Sequence, residues 1–105
     1  MQFKRMFVDK ILKGEKTQTR RKKISWYKVG KIVPAQCGYR DKAFAKLRIT
    51  DIREEFLCEI SQADARKEGL KDVDEYIKVW EQINGEWDPN LWIYVIDFEK
   101  VKEAI

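Results

Sequence analysis

The sequence contains no histidine. That absence removes Ser-His-Asp and Cys-His catalysis together with every His-ligated metal site, and it narrows the available general bases to lysine, carboxylates and tyrosine. Cysteine is nearly as scarce: Cys37 and Cys58 stand in no CxxC arrangement, so no zinc framework or structural disulfide is expected. On these grounds the chain is expected to need no metal and no other cofactor, with a carboxylate-bound magnesium left open. No apolar run approaches the roughly 18 residues of a membrane span, and the N-terminal residues do not resemble a signal peptide. Two free thiols suit a reducing cytosol, so the expected location is cytoplasmic, with no membrane partner.

What the chain does have is charge, unevenly placed. Charged residues make up 38% of its 105 positions, well above the usual value of about 25%. The net charge is +4, but residues 1 to 50 hold 15 Lys/Arg against 3 Asp/Glu, and residues 51 to 105 hold 7 against 15. Such polarity points to a basic surface that meets a polyanion, nucleic acid being the first candidate, unless the two halves neutralise each other across the fold. Hydrophobic residues at 44% and four Trp fit a compact core, and 105 residues suffice for one domain spanning 1–105. A domain of that size buries roughly 65% of the surface its unfolded chain exposes.

The densest chemistry lies in Gly14 to Lys23, GEKTQTRRKK, where a turn glycine, two threonine hydroxyls and five cationic side chains share ten positions. Before it, Phe3, Phe7 and Ile11 recur at helical spacing with Met6 alongside, which predicts a short helix over about Arg5 to Lys13 capped by Gly14. Thr17 to Arg21 has strand character, and the basic run Arg20-Arg21-Lys22-Lys23 leads to Trp26 and Tyr27. Cations followed by aromatic rings suit single-stranded nucleic acid, although Trp26 and Tyr27 serve equally well as core or rim residues.

Lys31 to Gln36 reads as a strand, followed by a turn around Cys37 to Asp41 that carries Arg40. Ala43 to Ile52 follows as a strand with one buried face, so the two form a hairpin, the first piece of a small barrel or curled sheet. Ser61 with Asp64, and Asp72 with Glu75, resemble capping boxes, with stops at Gly69 and at Asn84-Gly85. Val73, Tyr76, Ile77, Trp80 and Ile83 line one face of the second of these helices and read as core. Leu91 to Phe98 is apolar on both faces and is expected to be a central strand, and Lys100 to Ile105 to add a helical turn.

Gly14-x-Lys16-x-x-Thr19-x-Arg21, the Val29-Gly30 turn, the Ala45 to Thr50 strand and the closing Tyr94-Val95-Ile96-Asp97-Phe98 together resemble the ASCH domain. The resemblance implies an α+β fold, a PUA-like small mixed β-barrel of about five or six strands with flanking helices. It also implies RNA or a modified nucleoside as partner, in a cleft near the GEKTQTRR segment. The contact surface would comprise Arg20, Arg21, Lys22, Lys23, Trp26, Tyr27 and Arg40. Many members carry Glu where this chain has Thr19, and the Thr form is similar to bacterial N4-acetylcytidine amidohydrolases. That likeness implies an alternative, catalytic reading with Thr19 as nucleophile, Lys16 as base and Glu68 as the third member; a third reading is an interaction module without chemistry.

Two physical conditions bear on the catalytic reading. A threonine hydroxyl needs an adjacent base, so Lys16 must have its pKa lowered by burial and by Arg20 and Arg21. In a regular strand, positions three apart face opposite ways, so Lys16 and Thr19 converge only if Lys16 lies in the turn after Gly14 or a bulge intervenes. Thr19 otherwise reads as an ordinary β-forming residue. Glu68, in the last turn of a helix, sits against the helix dipole and calls for a cationic partner, Lys67 or a loop lysine.

Overall fold

A computed structural model of the chain describes residues 1–102. The first turn is a 3-10 helix, Arg5–Phe7, running into α1, Val8–Leu12, so the expected helix is present but split. Phe7 and Ile11, four apart, are buried by it, whereas Met6 points to solvent. Then come β1 (Gln18–Arg21), β2 (Ile32–Ala35) and β3 (Ala45–Phe56), followed by α2 (Gln62–Lys67), α3 (Val73–Asn84) and β4 (Trp92–Lys100). The N-cap half of each expected capping box forms, Ser61 Oγ accepting from Asp64 N at 3.0 Å and Asp72 Oδ1 from Glu75 N at 2.9 Å, whereas the reciprocal bond to the N-cap amide does not.

The strands make one antiparallel sheet in the order β1-β4-β3-β2, so the apolar β4 is central, as its composition predicts. Five or six strands were expected; four form among the described residues, and Gln2 adds an isolated parallel bridge to Gln36 beyond the end of β2. The result is a curled half-barrel. A register shift between Ile49 and Asp51 supplies part of the curl, because a bulge bends the strand that carries it. It also changes the facing parity of β3: Leu47 and Ile49 before the shift share a face with Ile52 after it. That strand continues four residues beyond the expected end at Ile52.

The two sheet faces are buried by different elements. Ile49, Ile96 and Phe98 lie on the first face, where Phe3 packs on Phe98 with ring centroids 5.8 Å apart. Ile93 and Val95 lie on the second, beneath α2 and α3, which contribute Ala65, Tyr76 and Trp80 to the core. β1 is an edge strand, so Thr19 and Arg21 project to the first face while Gln18 and Arg20 project to the second. Ile83, expected in the core, is exposed at the end of α3. The turn expected after Lys100 falls mostly on residues 103–105, outside the described residues; Lys100 itself ends β4.

Candidate functional site

Two helix ends meet at the free edge of β1. Gly14, at φ +78°, turns the chain back after α1, and the amides of Glu15 and Lys16 both donate to the carbonyl of Lys10, at 2.8 and 3.1 Å. Gly69, at φ +90°, ends α2, where the amide of Leu70 donates to the carbonyl of Ala65 at 3.1 Å. The loops are laced together: Thr17 N donates to Lys67 O at 2.8 Å, and the Lys10 ammonium donates to the carbonyl of Gly69. A Cβ at Gly69 would stand 3.1 Å from Lys16 Cβ, so glycine permits both the turn and the close approach.

This lacing places Lys16 in the turn after Gly14 and not within β1, one of the two arrangements that let it approach Thr19. Lys16 is only 3% exposed. Its Nζ donates to Glu68 Oε1 at 2.8 Å, to the Glu68 carbonyl at 2.9 Å and to the Gln18 carbonyl at 2.8 Å, and lies 4.4 Å from the centre of the Phe7 ring. Burial pushes the ammonium pKa down, with Arg21 and Arg20 acting in the same direction and Glu68 against it. Glu68 thereby gains the cationic partner its position demands: it comes from the loop, and Arg20 joins it.

Arg20, expected to contact a ligand, is engaged by the protein's own carboxylates. Its side chain is fully enclosed, with Nη1 donating to Glu68 Oε2 at 2.9 Å and to Gln18 Oε1, and Nη2 to Glu55 Oε1 at 2.7 Å and Asp64 Oδ2 at 3.1 Å. Burial works against its charge, but Glu68 and Glu55 outweigh it and the guanidinium pKa rises. Arg53 extends the network to Asp64 and Asp97. No periodicity marks Gln18, Glu55 or Asp64 as members, because they converge from three separate elements.

Arg21, one position on, faces the other way and behaves differently. Its Nε donates to Thr19 Oγ1 at 3.2 Å and its Nη2 to the carbonyl of Gln2 at 2.6 Å, with the guanidinium 5.0 Å from the Phe3 ring centre. Among the described residues no carboxylate pairs with it. Thr19 is 6% exposed, and no hydrogen bond joins its hydroxyl to Lys16 Nζ.

Lys16, Thr19, Arg20, Arg21 and Glu68 all line one cavity of about 580 Å³, within the usual size range of small-molecule sites. Lys22 and Lys23 stand exposed on its wall. Phe3, Phe7, Tyr27, Tyr76 and Trp80 supply apolar and aromatic surface, of which only Tyr27 was singled out from the sequence as a ligand contact. Tyr76 and Trp80 were legible as core, and they are buried; that they also wall a cavity has no signature in a helical repeat. Trp26 lies outside this lining, 49% exposed, with Lys31 Nζ 4.1 Å from its ring centre. Arg40 also lies outside it, exposed in the turn before β3. Among the described residues no group of three or more Cys, Asp or Glu is placed to hold a metal ion, and no helix is long and apolar enough to cross a membrane.

The family model of the ASCH domain matches residues 1–102. No curated protein matches the chain. Crystal structures similar in fold include these three. An ASCH domain from Lactobacillus crispatus JV V101 is 16% identical, with a TM-score of 0.77 over 90% of this chain and 70% of that one. A protein from Enterococcus faecalis V583 is 17% identical, with a TM-score of 0.67 over 91% and 70%. The hypothetical protein PH0355 is 21% identical, with a TM-score of 0.71 over 96% of both chains. Likeness at such identities concerns the fold, and the curled α+β half-barrel is the PUA-like one. With the family model spanning nearly every residue, the chain belongs to the ASCH domain family.

Proposed function

We propose that the cavity beside the GEKTQTRR segment binds RNA or a modified nucleoside. Membership of a family associated with RNA binding supports the coarse reading; the cavity supports the finer one. The single observation that carries it is Arg21, a cation on the wall of an aromatic-sided cavity with no carboxylate partner among the described residues. A planar base fits against Phe7, Tyr27 and Trp80, and phosphate oxygens fit Arg21, Lys22 and Lys23. Arg20 also lines the cavity, but its Nη protons are committed to Glu68, Glu55, Asp64 and Gln18, so it has no part in the phosphate contact of this reading.

The test is binding of a short single-stranded RNA across a range of salt. Each phosphate neutralised on a single strand contributes about 0.7 to the slope of log K against log salt. The Arg21→Gln/Lys22→Gln/Lys23→Gln variant is expected to bind more weakly and with a shallower slope. If the unaltered protein binds neither RNA nor nucleosides at low salt, the reading is wrong.

A second reading is favoured by one specific observation, the presence of Lys16, Thr19 and Glu68 on the wall of one cavity. In it Thr19 Oγ attacks the acyl carbon of an N4-acetylcytidine-type amide and passes its proton to a neutral Lys16 amine. The C–N bond breaks, the exocyclic nitrogen takes a proton from Lys16, and water then hydrolyses the threonyl ester to free acid. For this the Lys16 ammonium must first lose a proton that now engages an acceptor, and its lowered pKa reduces that cost. Incubation with N4-acetylcytidine followed by chromatography for cytidine and acetate decides it; equal rates from the unaltered chain and Thr19→Val exclude the threonine mechanism.

A further inference from the structure

Tyr76 stands out among the cavity residues. It is 5% exposed on the inner side of α3, with Trp80 and Trp87 each 6.2 Å from its ring centre and the Arg20 guanidinium 5.9 Å away. A buried tyrosine hydroxyl ordinarily finds a partner. Among the described residues this one has none. Nor is it sealed off: among the described residues the fully enclosed side-chain nitrogen or oxygen without a partner is Arg20 Nε, so the phenol oxygen keeps some access to solvent, and Tyr76 lines the cavity. Phenylalanine would fill the same space without leaving a polar group unmatched.

We propose that Tyr76 is a ligand-contacting residue whose hydroxyl donates a hydrogen bond to a neutral carbonyl oxygen on the planar part of the guest; this rests on the nucleoside reading above. The neighbouring charges select that acceptor. Lys16 and Arg20 spend their protons on protein acceptors, save the one on the enclosed Arg20 Nε, so neither is a free donor in the inner cavity. Glu68 and Glu55 raise the phenol pKa by their charge against the opposing pull of Arg20, so the balance of charge at the same spot disfavours an anion. Anionic groups are drawn instead to Arg21, Lys22 and Lys23. Burial, with Glu68, keeps the phenol protonated well above its ordinary range, so it acts as a donor and not as a base. The carbonyl is either the ring oxygen of a pyrimidine or the oxygen of an acyl group on its exocyclic nitrogen.

The experiment measures dissociation constants of the unaltered chain and Tyr76→Phe for N4-acetylcytidine, cytidine and 2-thiocytidine. Loss of one such bond weakens binding by about 5- to 10-fold. If the ring oxygen is the acceptor, both oxygen-bearing nucleosides weaken and 2-thiocytidine binds the two proteins alike. If the acyl oxygen is the acceptor, only N4-acetylcytidine responds. Binding by the unaltered chain with the same constants in Tyr76→Phe overturns the role of Tyr76 and leaves the cavity reading standing. Failure of the unaltered chain to bind any of the three overturns the nucleoside reading, and this proposal with it. Should Tyr76→Phe not fold, 19F spectra of the chain carrying 3-fluorotyrosine replace it: a shifted Tyr76 resonance on adding N4-acetylcytidine supports the contact, and an unmoved one overturns it.

Discussion

Lys16 reaches across 52 positions to hold Glu68 twice, by its carboxylate at 2.8 Å and by its main-chain carbonyl at 2.9 Å. The pair fixes the end of α2 against the loop before β1, so the cavity wall and the fold share one interaction. A buried pair of this kind is costly to make and still more costly to break from one side, because the remaining charge has no solvent.

Glu68→Gln is therefore expected to destabilise the protein by about 3 to 5 kcal/mol, since it strands the Lys16 ammonium and takes from Arg20 one of its three carboxylates. Native stability totals only about 5 to 15 kcal/mol, so urea unfolding will register the change clearly. A loss under about 1 kcal/mol would mean that water or another group already compensates these cations. Any activity assay on Glu68 variants needs this measurement beside it.

Adjacent arginines are expected to behave oppositely. Arg20→Gln leaves Glu68, Glu55 and Asp64 without their shared guanidinium and is expected to lower stability by about 3 kcal/mol or more. Lys22→Gln/Lys23→Gln is expected to stay within about 0.5 kcal/mol of the parent while weakening RNA binding. Arg21→Gln is expected to weaken binding with a smaller stability loss than Arg20→Gln. Denaturant melts paired with salt-dependent binding separate the two classes; equal melts for Arg20→Gln and Arg21→Gln would contradict the assignment.

Gly14 and Gly69 both adopt positive φ, but only one is crowded. Alanine at Gly14 meets no atom within 4 Å, so its cost is the backbone term alone, about 1 to 2 kcal/mol. Alanine at Gly69 adds contacts at 3.1 Å to Lys16 Cβ and 3.2 Å to Lys10 Cδ. Gly69→Ala is expected to be the more destabilising by at least about 1 kcal/mol and to weaken ligand binding, whereas Gly14→Ala retains more of it. Thermal midpoints and binding constants for the two variants check the order.

Alkali provides a further test. Tyr76 ionises with a folded pKa raised well above its ordinary value of 10.0, by burial first and by Glu68 second. A raised value means that its stabilising contribution is complete below pH 10 and is lost as pH rises through the folded value, because the unfolded chain gives up the proton more readily. The unaltered protein should therefore lose stability faster than Tyr76→Phe above pH 10, and the phenolate absorbance of Tyr76 should appear with unfolding. Identical alkaline profiles would place the phenol in solvent.

Much of the fold was legible because its signals are local. Ser61 and Asp72 announce helix starts through hydroxyl and carboxylate caps, Gly69 and Gly85 announce stops through positive φ, and the doubly apolar Leu91 to Phe98 announces a central strand. The bulge between Ile49 and Asp51 was not legible, because it is decided by pairing with β4. Nor was the split of the first helix, where Phe7 and Ile11 alone have to face the core.

For the site, the sequence by itself determined which chemical groups are available and excluded those that need histidine. It placed Lys16, Thr19, Arg20 and Arg21 within six positions, and strand alternation alone requires Arg20 and Arg21 to part company. Which of the two arginines meets carboxylates and which stays open was decided only by the tertiary structure, since Glu55, Asp64 and Glu68 reach Arg20 from β3 and from α2 and its C-terminal end. The same holds for Tyr76, whose helical spacing marks it as buried but carries no information about the cavity it lines. Backbone conformation is set by neighbours along the chain, whereas charge compensation and cavities are set by neighbours in space.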